Sequence, residues 1–366
     1  MSLLKSIFGK KEEPIKNYND FWVWFQQNER RFYDVVKYKK NLEKDFFNKL
    51  SPKLLELKDG YFYLTGMFDQ DTAELVLTAD GDIKNIVFVE ELIEKSPKIE
   101  GWKFTALKPP SEIEDVNIEM AGFKFNGENI YFYSNDHSNY PDEIDVSIIH
   151  NDLNDDNKTE IANGIYIFLD NYLGELDFVN NIDSLKVLSK NEATKELVPI
   201  SKLKDFLIWR QKEFIEKYQS DKYNSENDEH SILQSELKND NVLLAVINTK
   251  LLNWDRKASH SWIAEITFFF DGSLNNGLPN KTDYKNLVNI EEEILFQLKD
   301  LDGYLNIGRQ TANNERKIYF ACNDFRKPSK VFYEIQKKYL DEYEIEYEIY
   351  KDKYWQSFER FINQLN

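Results

Sequence analysis

Cysteine, histidine and long apolar runs are what this chain of 366 residues has least of. Its one cysteine, Cys322, excludes an internal disulfide, and such sparse usage fits a reducing compartment. The four histidines, His137, His150, His230 and His260, are scattered and leave little for a zinc site, so no metal is expected. With no nucleotide motif either, no cofactor is expected. A stretch of about 18 apolar residues occurs nowhere, which excludes a helical membrane span. The opening MSLLKSIFGKKEEP sets Leu3, Leu4, Ile7 and Phe8 beside Lys5, Lys10 and Lys11; its apolar part is too short and interrupted for a signal peptide. It leaves open a short amphipathic foot on a membrane surface. A cytoplasmic location is the expectation.

Positive charge is also in short supply. Against 65 acidic residues stand 47 basic ones, for a formal net charge of -18. A surface this negative repels phosphate backbones and anionic membranes, so no nucleic-acid partner is expected. A protein partner, basic in character, fits better. What the chain has in plenty is aromatic bulk: 26 Phe, 21 Tyr and 7 Trp. Their large apolar areas exclude disorder and promise strong cores.

Length alone allows two domains of common size. Residues 20–36 and 41–57 repeat apolar side chains at helical spacing and predict a helical hairpin. Strand-like alternation follows at 61–67, 73–79, 102–107, 118–125, 130–134 and 144–150, with a helix over 83–95. Residues 201–218 predict a helix linking two domains, and the polar run QSDKYNSENDEHS predicts a linker. From Ser261 the order is strand-helix-strand-strand-helix-strand, the signature of a ferredoxin-like split βαβ sandwich. Two short matches suggest a repeat: AELVLTADG (73–81) with AEITFFFDG (264–272), and IYFYSND (130–136) with IYFACND (318–324), at nearly the same offset. The expected fold is therefore α+β, with two ferredoxin-like (βαββαβ) modules of antiparallel sheet, an N-terminal helical hairpin and a linking helix. The boundaries this gives are 1–58 for the helical region, 59–200 for the first module, 201–231 for helix and linker, and 232–366 for the second module.

The segment NIGRQTANNERKIYFACND (306–324) concentrates the candidate chemistry. In a ferredoxin-like strand order of 4-1-3-2, Cys322 and Asp324 would come near His260, and a thiol, an imidazole and a carboxylate together would make a nucleophile with its base. With Arg309 these residues define an enzymatic alternative, a hydrolase or transferase acting on an amide or carboxylate. Periodicity argues against it: Ile318, Phe320 and Cys322 alternate together, which points the thiol at the helices as a small core residue. Arg309, Gln310, Thr311, Asn313 and Asn314 gather at a hairpin tip, where Asn313-Asn314 is a turn signal because Asn tolerates positive φ. Arg309 is expected to pair with Glu315 or to grip a partner's carboxylate or amide. The outer face of the sheet would carry Tyr319, Lys317, Glu265, Glu344, Glu346 and Glu348. Its acidity disfavours RNA and suits a polypeptide. The binding residues expected are thus Arg309, Gln310, Thr311, Asn313, Asn314 and Tyr319, and the reading is of a non-enzymatic protein-binding or regulatory module.

The segments HSWIAEITFFFDG, DGYLNIGRQTANNERKIYFAC, DFRKPSKV and YEIYKDKYWQSFERF resemble the bacterial family catalogued as domain of unknown function 695, over nearly the whole C-terminal module. GRQTANN and DKYW are the specific parts. FYLTGMFD, TAELVLTADG, IVFVEEL and GWKFTALKPP are similar to the segment that precedes that domain in related proteins. The resemblance implies an uncharacterised cytosolic bacterial protein. It also implies kinship with the regulator of ribonuclease activity B family, small acidic ferredoxin-like proteins that inhibit a ribonuclease by binding it. It carries no catalytic residues over.

Overall fold

The computed structural model describes residues 13–219 and 221–362, so the amphipathic start lies outside the described residues. The chain is α+β and divides into two compact units, one ending at Lys108 and one beginning at Pro109.

In the first unit, Asn17 starts α1 (Tyr18–Tyr38) by accepting the amide hydrogen of Asp20. A π-helical turn over Glu43–Phe47 runs into α2 (Asn48–Leu57). β1 (Phe62–Met67) pairs antiparallel with β2 (Ala73–Thr78), and α3 (Ile83–Glu94) crosses over to β3 (Trp102–Ala106), which pairs parallel with β2. A parallel pair needs such a crossover, because its strands start from the same end. The apolar stripe of α1 fills this unit: Phe25 lies 5.1 Å from Trp102 and 5.3 Å from Phe104. Trp22 Nε1 donates to the Leu92 carbonyl at 2.7 Å.

The expected helical region over 1–58 is therefore part of one core with β1–β3. The expected module over 59–200 is split, since its later strands sit in the second unit. Alternation identifies a strand but not its sheet, and the parallel pairings escaped it.

The second unit holds a short hairpin, β4 (Ile118–Met120) and β5 (Phe123–Phe125), then β6 (Ile130–Asn135) and β7 (Asp145–His150). α4 (Lys158–Leu173) and α5 (Glu175–Asn181) cross to β8 (Ser184–Ser189), parallel to β7. β9 (Val198–Pro199) closes a sheet of order β8-β7-β6-β9. The helix expected as a link, α6 (Leu203–Tyr218), packs on this sheet: Leu203 and Leu207 join Phe132, Val146, Ile148, Ile165 and Phe168 in one core.

The second sheet of this unit has six strands in the order β10-β11-β13-β14-β12-β15, antiparallel throughout. They are β10 (His230–Glu236), β11 (Val242–Asn248), β12 (Trp262–Phe269), β13 (Tyr304–Ala312), β14 (Glu315–Cys322) and β15 (Glu344–Lys351). β10 begins inside the expected linker. As an edge strand it is wet along half its length, so its sequence is polar. α7 (Thr249–Leu252), α8 (Lys281–Gln297), α9 (Arg326–Lys338) and α10 (Glu359–Ile362) complete the unit.

One sheet face meets α9, with Phe332 standing 6.2 Å from Phe320 and 5.9 Å from Tyr347. The matched repeat segments do not occupy equivalent places. β12 and β14 are neighbours in one sheet, whereas β2 and β6 belong to different units. Short matches of this kind arise from strand composition alone.

Candidate functional site

Asn313 and Asn314 take φ of 50° and 70°, joining the paired residues Ala312 and Glu315 through a two-residue turn. Positive φ at both central positions is the tight-hairpin geometry that favours asparagine. The tip is bound by its own chain: Asn313 Oδ1 accepts from the side chains of Asn239 and Asn241 at 3.0 and 2.8 Å. The Asn314 amide donates to the Gly277 carbonyl at 2.9 Å.

Arg309 stands opposite Ile318 in register and therefore points to the helices. Its Nη1 donates to both carboxylate oxygens of Glu291 on α8, at 2.8 and 2.9 Å. The expected pair with Glu315 is replaced by this one, because the register set by the turn puts Glu315 opposite Ala312 on the outer face and Arg309 opposite Ile318 on the other. Thr311 is buried and accepts from Arg316 Nε at 3.1 Å. Of the hairpin polar group, Gln310 is the one that shares the outer face with Lys317, its partner in register.

Cys322 is fully buried, and burial pushes its thiol well above the ordinary value. It is in register with Trp262 and Tyr304. His260 is buried by Trp254 at 5.5 Å, and Trp254 packs with Ile263 and Ala321 on the opposite sheet face. Burial pushes His260 down to about 4, and Ser259 Oγ lies 2.8 Å from its Nδ1. Asp324 pairs with Arg326 at 2.7 Å and accepts its backbone amide. His260 and Cys322 thus belong to different faces, and Arg309 is engaged elsewhere.

The outer face is a ladder of cross-strand rows. Leu305, Ala321, Ile263 and Tyr350 form one row. Gly308, Tyr319, Glu265 and Glu348 form the next, then Gln310, Lys317, Thr267 and Glu346, and last Ala312, Glu315, Phe269 and Glu344. Over Leu305, Ala321, Ile263 and Tyr319 a C-terminal segment seals the face: Trp355, Phe358 and Phe361 join these four residues in a single core. Tyr319, expected to be available for binding, is therefore 1% exposed, with Phe358 at 5.3 Å. Its burial raises the phenol pKa.

Beyond that seal the face turns acidic. Glu344 and Glu346 are exposed. Glu265 and Glu348 are direct cross-strand partners, a like-charge pairing that costs stability. Lys317 Nζ answers with a 2.7 Å bond to Glu265.

A third constellation was not singled out in the sequence. Lys351, Lys353 and Tyr354 form a joint with Asp142, Asn180 and Asp183, on the segments that flank β7 and β8. Tyr354 and Tyr218 hydroxyls donate to Asp142 at 2.6 and 2.7 Å, and Lys217 donates to it at 2.8 Å. Lys353 Nζ donates to Asp183 and to the Asp142 carbonyl, and Lys351 Nζ lies 2.7 Å from Asp183. Burial would raise Asp183, but the charges and hydrogen bonds of the two lysines outweigh it and hold the carboxyl below its usual range. Lys353 is pushed down to about 8 by burial, with Asp183 opposing. Trp355, at φ 57°, turns its indole to donate to the His260 carbonyl at 2.8 Å. The KDKYW run, with Lys351 and Lys353, was the available signal, but its acidic partners lie far away in sequence.

Among the described residues no group of three or more His, Cys, Asp or Glu is placed to hold a metal ion. No described helix is long and apolar enough to cross a membrane. Residues 235–362 match the model of the family described as Family of unknown function (DUF695). Neither the curated proteins nor the solved structures contain a match to the chain.

Proposed function

We propose that this chain is a non-enzymatic, cytoplasmic protein-binding module, and that its docking surface is the acidic half of the outer face of the six-stranded sheet. The observation that carries this reading is the ladder itself. Glu265, Glu315, Glu344, Glu346 and Glu348 share one strip with a single sheet lysine, Lys317, and the carboxylates of Glu344 and Glu346 face water. A strip that sets Glu265 opposite Glu348 is stabilised by any cation laid across it, so the partner it suits is a basic protein segment. Gln310, in the same row as Lys317, offers an amide for register.

The ferredoxin-like reading of β12–β15 with α8 and α9 supports the same conclusion. The kinship with acidic ribonuclease-binding regulators that the sequence resemblance implies points the same way, by fold analogy. The enzymatic alternative loses support from the separation of His260 and Cys322. Labelling the native chain with a thiol reagent tests it: Cys322 is expected to react only after denaturation, and rapid labelling of the native chain would revive it. The binding reading is tested by Glu344→Gln with Glu346→Gln, which is expected to weaken capture of a basic partner while leaving the folded spectrum unchanged. Undiminished capture would overturn the choice of surface.

A further inference from the structure

A cleft of about 770 Å³ opens in the second unit between α5 and α6 on one side and the ends of β12, β14 and β15 on the other. One wall is apolar. Ile208 and Ile215 lie seven residues apart on one face of α6, 68% and 46% exposed, and both border the cleft. With Phe214 they give the cleft an apolar side.

The floor has a different character. Lys351 donates to the Asn180 carbonyl and stands 2.7 Å from Asp183, and Lys353 donates to the Asp142 carbonyl and to Asp183. Two cations therefore share the one Asp183 carboxylate, and both border the cleft, Lys353 over the Phe214 ring at 4.6 Å and Lys351 over the Trp262 ring at 5.8 Å. The Asp142 carboxylate is taken up by Lys217, Tyr218 and Tyr354. Along the cleft Lys212, Arg326, Lys351 and Lys353 outnumber Asp177, Glu216 and Asp324, the reverse of the balance in a chain of net charge -18.

We propose that this cleft binds a short peptide by its free C-terminus, with the carboxylate at the Lys351–Lys353 end and the last apolar side chains against Ile208 and Ile215. Capture of a terminal carboxylate by clustered donors beside an apolar wall is a recurring mode of peptide recognition. The cleft volume suits a ligand of a few residues. This site is separate from the acidic strip, so either can stand without the other.

Calorimetric titration of the full chain tests the proposal. The probe is an equimolar mixture of N-acetyl tetrapeptides ending in Val, Leu, Ile or Phe, compared with the same mixture as C-terminal amides and with decanoate. The free acids are expected to bind saturably, the amides at least about tenfold more weakly, a difference of about 1.4 kcal/mol. Ile208→Asp is expected to reduce free-acid binding by a similar factor with an unchanged melting temperature. Because Ile208 is exposed, this variant tests the site even where Lys351→Met fails to fold. Equal binding of acids and amides, no binding at millimolar peptide, or decanoate binding as well as the peptides would each overturn the proposal.

Discussion

The two halves of one sheet face follow the same alternation and end in opposite environments. Reading back along β14, positions 321, 319, 317 and 315 are Ala, Tyr, Lys and Glu, all on the outer face. At Ala321 and Tyr319 the face is core, sealed by Phe358 and Phe361. Two residues further it carries Lys317 bonded to Glu265, and then the open glutamates of β15. A strand's period fixes which side chains share a face. What that face becomes is decided row by row, by where covering chain is present. Among the described residues the C-terminal segment covers Ala321, Ile263 and Tyr319 and leaves Glu344, Glu346 and Glu348 exposed, in keeping with the high cost of burying unpaired carboxylates.

This contrast is open to attack from several directions. On the sealed half, Phe358→Ala should lower unfolding free energy by about 3–5 kcal/mol, the range for emptying a buried aromatic site, as read by urea denaturation. A loss below about 1 kcal/mol would mean that the seal is not core. Acid probes the same half through His260. The folded chain holds this imidazole near 4, against about 6.5 when unfolded. Between those values the unfolded chain binds more protons. This contribution, up to about 3 kcal/mol, is present above pH 6.5 and lost as pH falls toward 4. Asp221 is the charged group opposing the shift. His260→Gln should flatten stability over that window, and an unchanged slope would remove His260 from the account.

Arg309→Ala leaves the carboxylate of Glu291 largely buried without its ion-pair partner. The cost should be about 2 kcal/mol, below the range for fully buried pairs because Arg309 keeps some contact with water. A cost this large would mark the arginine as part of the fold rather than as a grip. On the open half, Gln310→Ala and Glu346→Gln should each change stability by less than about 0.5 kcal/mol while weakening a basic partner's binding. A large loss of stability at either would erase the distinction between the halves.

Much of the second sheet was legible in the sequence. The strand and helix runs from Ser261 onward were visible, as were the Asn313-Asn314 turn and the inward thiol of Cys322, because each depends on local periodicity or on one residue's φ preference. Four features were not. The parallel pairs β2–β3 and β7–β8 depend on which strand meets which. The bond of Arg309 to Glu291 depends on α8 bringing that carboxylate under the sheet. The burial of Tyr319 depends on a segment about 40 residues later folding back over it. The joint of Asp142 and Asp183 with Lys351 and Lys353 escaped for the same reason: ordinary surface-type residues become a buried network only through contacts distant in sequence. The candidate binding residues divide along this line, with Gln310 on the outer face and Arg309, Thr311 and Tyr319 in structural contacts.

The most direct test of the central claim is a paired pull-down from native lysate at low and moderate salt, using the wild-type chain and the Glu344→Gln, Glu346→Gln variant, with mass spectrometry of what each retains. The account predicts a basic protein held at near-equal stoichiometry by the wild type, released as salt rises, and depleted from the variant. The same proteins held equally by both chains would contradict it.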